Sequence, residues 1–192
     1  RIKKLKSFVD TNNEISSSKI RSVNKNINFT NNSSDLKHCN FYIITVPTPI
    51  DQKKKPDLKY LIDATKNVGK KLKKKDVVVY ESTTYPGCTD EICIPLLEKV
   101  SGLKIVKDFS CGYSPERINP GDKIRTIDKI DKIISASDNR GLRIVEYVYR
   151  KIIKTDIIKV NNSKIAEGAK IIENTQRDLN IALINELQIL FN

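Results

Sequence analysis

The stretch that decides the fold is FYIITV at residues 41–46, together with DVVVY at residues 76–80. Both runs are short, continuous and rich in β-branched side chains, which is typical of strands covered on both faces of a parallel sheet. Two later runs, KIDKIIS at residues 129–135 and DIIKV at residues 156–160, have the same character. The four runs therefore predict four strands of one buried sheet.

Helical segments are predicted between these strands, at residues 57–74, 88–100 and 139–151. The first segment keeps an apolar stripe at helical spacing, which consists of Leu58, Leu61, Ile62, Thr65, Val68 and Leu72. Alternation of strand and helix favours right-handed crossovers, so the predicted class is α/β with a doubly wound parallel sheet. The polar segment before residue 41 is interpreted as a short helix, a strand near Phe29 and turns.

One long helix is predicted from Ser163 to the last residue. Its apolar stripe consists of Ile165, Ala169, Ile172, Gln176, Leu179, Leu183, Leu187 and Leu190. Ser163 is the expected N-cap, and Glu167 lies in the first turns, where negative charge is favourable. Because a helix of this length usually bridges domains or forms an oligomer interface, we expect a domain boundary near residue 161.

The charge of the chain invites comparison with nucleic-acid-binding proteins, because the formal net charge is +12. The densest basic cluster is Lys70, Lys71, Lys73, Lys74 and Lys75, at the end of a predicted helix. Cations are favourable there, so a solvated helix end is preferred over the alternative, a phosphate-binding patch. Aromatic residues make up 6% of the chain and do not interleave with the basic runs. A stacking platform for single strands is therefore absent, and no nucleic-acid partner is predicted.

The cysteines and the single histidine predict no metal site. Cys88 and Cys93 are five positions apart, which matches neither a zinc-site spacing nor a redox CxxC. His38 stands beside Cys39, but no second pair accompanies them. All four cysteines are expected to be buried or idle thiols, which suits a reducing cytoplasm. No apolar run reaches the roughly 20 residues that a membrane span needs, so no membrane partner is predicted.

Both ends of the sequence predict that it is an interior piece of a longer protein. Met is absent from all 192 positions, including the first. Asn192 interrupts an amphipathic run without a capping or turn signal. The first glycine is Gly69, so the chain has no GxGxxG loop, and a Rossmann-like sheet would lack its first strands.

Three loops are interpreted as lying just after the carboxyl ends of strands, where open α/β sheets bind ligands. They are VPTPID at residues 46–51, ESTTYPG at residues 81–87 and GYSPERINPGD at residues 112–122. The first could equally be a stiff turn, and the third an ordinary surface loop. On the long helix, Lys170 and Asn174 share one face, where they could stabilise an oxyanion or simply be solvated.

Four blocks of the sequence occur together in one known family. The blocks are VPTPID, STTYPG, GYSPERINPGD and AEGAKIIENTQRDLNIALINEL. In this order and at these separations they resemble the UDP-glucose/GDP-mannose dehydrogenase family, over essentially the whole chain. The sequences of the last two blocks most resemble those of the branch that oxidises C6 of UDP-N-acetylglucosamine or UDP-N-acetylgalactosamine for surface polysaccharides.

The resemblance implies an NAD-dependent UDP-sugar 6-dehydrogenase of the cytoplasm. Residues 1–161 would be a partial NAD-binding Rossmann-like domain without its phosphate loop. Residues 162–192 would begin the central helical domain, around which homodimers form. Members of the family oxidise C6 twice, with two NAD and a cysteine nucleophile.

The resemblance also assigns roles to particular residues. The catalytic set would be Thr83, Glu116, Lys170 and Asn174. The cofactor-binding set would be Val46, Pro47, Thr48, Ser82, Thr83 and Glu116. The substrate-binding set would be Glu116, Arg117, Ile118, Asn119, Lys170, Asn174 and Arg177.

Two departures limit what the resemblance implies. None of the four cysteines matches the family nucleophile, so the chain alone is expected to be inactive. Pro120 stands where UDP-glucose dehydrogenases carry a second carboxylate, which favours the acetamido-sugar branch. The alternatives left open are a UDP-glucose or GDP-mannose dehydrogenase and, from a different class, a non-catalytic basic Rossmann-like binding module.

Overall fold

The computed structural model describes residues 1–118 and 126–192. The chain divides into two compact units, Arg1–Cys39 and Asn40–Asn192. The predicted site residue Asn119 and the departure noted at Pro120 lie outside the described residues.

The N-terminal unit consists of short helices. They are α1 (Ile2–Lys6), α2 (Ser17–Val23) and a 3₁₀ turn (Ser33–His38). The carboxylate of Asp10 organises the link between α1 and α2, because it accepts hydrogen bonds from the backbone N–H groups of Asn12, Glu14 and Ile15. The predicted strand near Phe29 is wrong, since residues 27–32 have no regular structure.

The second unit is built on a five-stranded sheet with the order β1-β2-β3-β4-β5. The strands are β1 (Phe41–Ile44), β2 (Val77–Tyr80), β3 (Ser110–Tyr113), β4 (Lys132–Ala136) and β5 (Ile157–Lys159). β1, β2 and β3 are parallel to one another, and β4 is parallel to β5. The predicted α/β class is therefore confirmed with a mostly parallel sheet. One pair departs from the prediction, because β3 and β4 run antiparallel.

Helices cover both faces of this sheet. They are α3 (Lys59–Gly69), a π-helical turn (Thr89–Cys93) that continues into α4 (Ile94–Ser101), α5 (Asn139–Tyr149) and α6 (Ser163–Phe191). Val77 and Val79 pack with Val145 and Tyr149 of α5 in one apolar cluster. Tyr80 points to the opposite face, because side chains alternate along a strand. Its hydroxyl lies 2.9 Å from Thr65 Oγ1 of α3.

The strand β3 was not predicted, because its sequence SCGY has no apolar run. All four residues are nevertheless buried. Gly112 permits the close antiparallel pairing with β4, since a Cβ atom there would lie 2.3 Å from the backbone oxygen of Ser135. The strand therefore fits into the sheet because Gly112 has no side chain, and not because it has an apolar one.

The ends of several helices also differ from the prediction. α3 is shorter than residues 57–74, so the basic cluster at residues 70–75 follows the helix instead of forming its last turn. The N-cap of α6 is Asn162, whose Oδ1 accepts a hydrogen bond from Ile165 N at 3.0 Å. The N-cap prediction for Ser163 is wrong, and the Ser163 hydroxyl instead donates to Asp90 Oδ1 at 2.6 Å. This bond ties the start of α6 to the turn before α4.

Candidate active site

A cavity of about 230 Å³ opens where β1 and β2 end at their carboxyl edge. Residues 45–48 directly follow β1 and residues 81–83 directly follow β2, so the sheet brings both loops to one place. Two further side chains complete the wall, one after β3 and one from α6. The lining residues are Thr45, Val46, Pro47, Thr48, Glu81, Ser82, Thr83, Glu116 and Lys170.

A larger cavity of about 420 Å³ lies within the N-terminal unit, but its chemistry is poorer. Its wall is mainly apolar, and its buried carboxylate, Asp10, is already held by three backbone N–H groups. The cavity at the sheet edge is therefore the candidate site, because it combines carboxylates, an ammonium and hydroxyls at the place where α/β sheets bind ligands.

The first wall of this cavity is the segment Val46, Pro47 and Thr48. The hydroxyl oxygen of Thr48 is buried and has no hydrogen-bond partner within the part of the chain that the structure describes. A buried hydroxyl without a partner is unfavourable, so this atom indicates a place where a ligand can donate or accept a hydrogen bond. Pro47 stiffens the backbone that presents it.

The second wall follows β2. Ser82 is buried, and its backbone oxygen accepts a hydrogen bond from the Tyr113 hydroxyl at 3.1 Å. Burial raises the pKa of Tyr113 to about 12, so this phenol keeps its proton and remains a donor. Thr83, the next residue, is exposed at the cavity. The start of this loop is thus held in place at Ser82, and the hydroxyl of Thr83 is accessible from the cavity.

Glu116 contributes a carboxylate with both oxygens engaged. Its Oε1 accepts hydrogen bonds from the backbone N–H groups of Arg117 and Ile118, at 2.6 and 2.8 Å. Its Oε2 lies 3.1 Å from Lys132 Nζ. Burial raises the pKa of Glu116, but Lys132 and the two backbone donors outweigh burial and hold it below its usual range. Glu116 is therefore ionised at neutral pH.

Lys170 is half-buried on α6 and faces the same cavity. Burial lowers the pKa of its ammonium, and Lys132 acts in the same direction, whereas Glu116 and Glu173 oppose the shift. A cation in a partly desolvated position interacts more strongly with negative charge than a cation in water. The alternative interpretation, in which Lys170 is a fully solvated lysine on the helix surface, does not describe this side chain.

The other predicted site residues that the structure describes do not line this cavity. Asn174, one turn after Lys170, is exposed and does not line it. Arg117 forms an ion pair with Glu173 at 2.6 Å, and Glu173 also pairs with Arg177 at 3.0 Å. Ile118 is partly buried beside Glu116. Arg117, Glu173 and Arg177 thus form a second charged group, which is separate from the lining of the cavity.

Sequence reasoning missed two charged groups, Glu81, which lines the cavity, and Lys132, which does not. Glu81 and Lys132 form a buried ion pair at 3.2 Å, and the Tyr149 hydroxyl donates to Glu81. A signal for Lys132 was present in the sequence, since this lysine lies within the predicted strand KIDKIIS, directly before Ile133 and Ile134. Because charged side chains are almost never buried without a partner, such a position indicates a partner carboxylate.

Glu167 was placed in the first turns of α6, but its contacts were not predicted. Its side chain is fully buried and accepts hydrogen bonds from Gly87 N at 2.6 Å and Thr89 N at 2.9 Å. The hydroxyls of Thr84 and Thr89 donate to it at 3.2 and 2.7 Å. One carboxylate therefore fixes α6, and with it Lys170, to the loop that presents Thr83.

A family comparison agrees with this geometry. The model for the UDP-glucose/GDP-mannose dehydrogenase family, NAD binding domain, matches residues 2–153. The chain belongs to this family. The prediction of the family from the four sequence blocks is thereby confirmed, and so is NAD as the cofactor of the matched domain.

The dehydrogenase family includes relatives that match the chain from end to end. It is 51% identical over 192 residues to the UDP-N-acetyl-D-glucosamine 6-dehydrogenase of Pseudomonas aeruginosa, and 52% identical to that of Salmonella typhi. These matches cover 100% of this chain and 45% of each relative, so the chain spans about half their length. A UDP-D-ManNAc dehydrogenase structure from Pyrococcus horikoshii matches with a TM-score of 0.88 and 35% identity, covering 98% of this chain and 45% of that chain.

The cavity residues fit the cofactor that this dehydrogenase family binds. Val46 and Pro47 offer apolar surface for a flat ring, and the unpaired Thr48 hydroxyl offers a hydrogen bond. In residues 1–118 and 126–192 no group of histidine, cysteine and carboxylate side chains is arranged to hold a metal ion. Over the same residues, no helix is both long and apolar enough to cross a membrane.

Proposed function

We propose that these residues belong to an NAD-dependent dehydrogenase that oxidises C6 of a UDP-N-acetylhexosamine to the uronic acid, for surface polysaccharide synthesis. The observation that carries the proposal is the cavity at the carboxyl edge of the sheet. It combines the ionised carboxylate of Glu116 and the ammonium of Lys170 with the hydroxyls of Thr48 and Thr83. Relatives at 51% and 52% identity, named UDP-N-acetyl-D-glucosamine 6-dehydrogenases, support the choice of sugar.

The proposed chemistry assigns one task to each group in the cavity. NAD, when bound, supplies the hydride acceptor. Lys170 stabilises the negative charge that develops on the C6 oxygen as its proton leaves. Glu116 and Thr83 hold the water that hydrolyses the last intermediate, and Asn174, Arg117, Ile118, Asn119 and Arg177 would contact the sugar nucleotide. Val46, Pro47 and Ser82 would line the cofactor.

Three further assignments belong to the same proposal. Residues 1–161 would be cofactor-binding and residues 162–192 would open a helical dimerisation domain. Exposed apolar side chains on α6 support a homodimer, since Ile172, Leu179 and Leu190 are 70%, 63% and 73% exposed. A cytoplasmic location is supported by the four cysteines, all within the described residues, none of which forms a disulfide.

The first prediction is the turnover of the full-length protein that contains these residues. With UDP-N-acetylglucosamine and NAD we expect two NADH for each sugar oxidised, measured by absorbance and by mass of the product. UDP-N-acetylgalactosamine is the matched epimer, and UDP-glucose and GDP-mannose test the two alternative substrates. A higher kcat/KM for UDP-glucose or GDP-mannose would move the assignment to that substrate, and no NADH with any of the four would refute it.

The 192-residue chain alone serves as the negative control of this assay. The nucleophile that the reaction needs is a thiolate. None of the four cysteines, all of which the structure describes, lines the cavity, and Cys88, Cys93 and Cys111 are buried. We therefore expect no NADH from the chain alone, and formation at an ordinary enzymatic rate would show that one of its own thiols reacts.

A further inference from the structure

A lysine is buried behind the cavity, at the start of β4. The Lys132 side chain is 4% exposed, and its Nζ lies 3.2 Å from Glu81 Oε1 and 3.1 Å from Glu116 Oε2. The same Nζ lies 5.3 Å from the centroid of the Tyr149 ring. One cation therefore joins two carboxylates that follow two different strands, β2 and β3.

Stability alone does not explain a buried ammonium at this place. Removing an ammonium from water is costly, and apolar side chains of similar volume often stabilise a protein as well as a buried ion pair does. In the sheet, Lys132 is followed by Ile133 and is paired with Ile157 of β5. The effect of the charge on Glu116, which faces the cavity, offers a functional reason for the lysine.

We propose that Lys132 is a positioning residue, which holds the Glu116 carboxylate in one orientation and keeps it charged toward the cavity. This inference rests on the proposed function, because it gives Lys132 a part in the same reaction. Lys132 does not itself line the cavity, and in this proposal it acts on the reaction through the Glu116 carboxylate, which does.

The hydrogen bonds of Glu116 show which oxygen is left to act. Each carboxylate oxygen has about two acceptor positions. Oε1 accepts from two backbone N–H groups, those of Arg117 and Ile118, and is therefore filled. Oε2 accepts from Lys132 and keeps one position. Lys132 thus fixes Oε2 as the atom to which a reacting water donates.

The charge state of Glu116 depends on the groups around it. These are Lys132 on β4, Glu81 after β2, Tyr149 on α5, Lys170 and Glu173 on α6, and the adjoining Arg117. Burial raises the pKa of Glu116, and Lys132 is the strongest opposing influence. Without Lys132, burial and the nearby Glu81 would act together to raise it.

The direct test follows the titration of Glu116 in the full-length protein. Glutamate labelled with ¹³C at Cδ is observed by NMR, and the Glu116 signal is assigned by its loss in Glu116→Gln. We expect the Glu116 titration to move to higher pH in Lys132→Met and to stay near its original pH in Lys132→Arg, which keeps the cation. An unchanged titration in Lys132→Met would overturn the proposal.

A second variant guards against failure of Lys132→Met to fold. The double variant Glu81→Gln, Lys132→Met removes one buried charge of each sign and still deprives Glu116 of its cation. The same upward movement of the Glu116 titration is expected. An unchanged titration in this variant would overturn the proposal as well.

Kinetics separate positioning from a merely structural role. We expect Lys132→Met to lower kcat by roughly tenfold to 10²-fold with little change in KM, the scale that a small misplacement of a reacting group produces. Lys132→Arg should retain most of the wild-type kcat. The matched control is Lys159→Met, which removes an exposed lysine of β5 paired with Glu146 and should leave kcat unchanged. Equal kcat in Lys132→Met and wild type would overturn the proposal.

The two proposals fail in different ways. If the wild-type protein forms no NADH with any nucleotide sugar, the proposed function is refuted. The NMR titration still decides whether Lys132 controls Glu116, because it needs no substrate.

Discussion

Lys170→Ala is expected to lower kcat of the full-length protein by roughly 10² to 10³, the scale observed when an oxyanion donor is lost. The ammonium of Lys170 is half-buried at the cavity, where in the proposed reaction it would stabilise charge on the C6 oxygen better than water does. UDP-sugar binding should change little, because the loss falls mainly on the transition state. Steady-state kinetics with UDP-N-acetylglucosamine measure both quantities.

The control for Lys170 lies on the same helix. Lys164 is largely exposed and pairs with Glu91 at 3.0 Å, away from the cavity. Lys164→Ala should leave kcat unchanged. Asn174→Ala should cost less than Lys170→Ala, because a neutral donor is weaker than a charged one and Asn174 is exposed. If Lys170→Ala retained the wild-type kcat, its catalytic role would be refuted.

Glu167→Ala is expected to lower the free energy of unfolding by about 3 to 5 kcal/mol, among the largest effects of a single substitution. The carboxylate is fully buried and accepts four hydrogen bonds, from Gly87, Thr84 and, twice, Thr89. Without it these donors remain buried and unsatisfied, at a cost of roughly 1 to 3 kcal/mol each before relaxation. Urea unfolding of the 192-residue chain, followed by circular dichroism, measures the loss.

A graded series identifies the cause of that loss. Glu167→Gln should destabilise less than Glu167→Ala, because the amide oxygen still accepts while its NH₂ group faces donors. Glu186→Ala, at an exposed position of the same helix, is the matched control and should stay within about 0.5 kcal/mol of wild type. A Glu167→Ala protein as stable as the Glu186→Ala control would contradict the role of Glu167 as the link between α6 and the Thr83 loop.

The elements that could be predicted are those with a clear apolar period. β1 and β2 were found because their residues form continuous β-branched runs, and α6 because its stripe repeats at helical spacing. β3 was missed because it has no apolar run, and its close pairing in the sheet depends on Gly112, which has no side chain. The antiparallel pairing of β3 with β4 depends on contacts distant in sequence, which no local pattern specifies.

The site was predicted where residues follow strands, and missed where charges lie inside the fold. The loops that carry Thr48, Thr83 and Glu116 were singled out because loops at the carboxyl edge of a sheet bind ligands, and the family resemblance assigned roles to the three residues. Lys132 and Glu167 were missed because their importance comes from buried partners on other elements. The placement of Asn174 on the exposed side of α6 shows the limit of helical spacing, which gives a shared face but not what that face contacts.

The central claim is that the cavity at the sheet edge is where C6 is oxidised. A crystal structure of the full-length protein with NAD and UDP-N-acetylglucosamine tests it most directly. We predict the nicotinamide ring against Val46, Pro47 and Thr48, and the C6 oxygen within hydrogen-bond distance, about 3 Å, of Lys170 Nζ. A sugar whose C6 lies beyond the reach of Lys170, or a nicotinamide ring bound outside this cavity, would contradict the account.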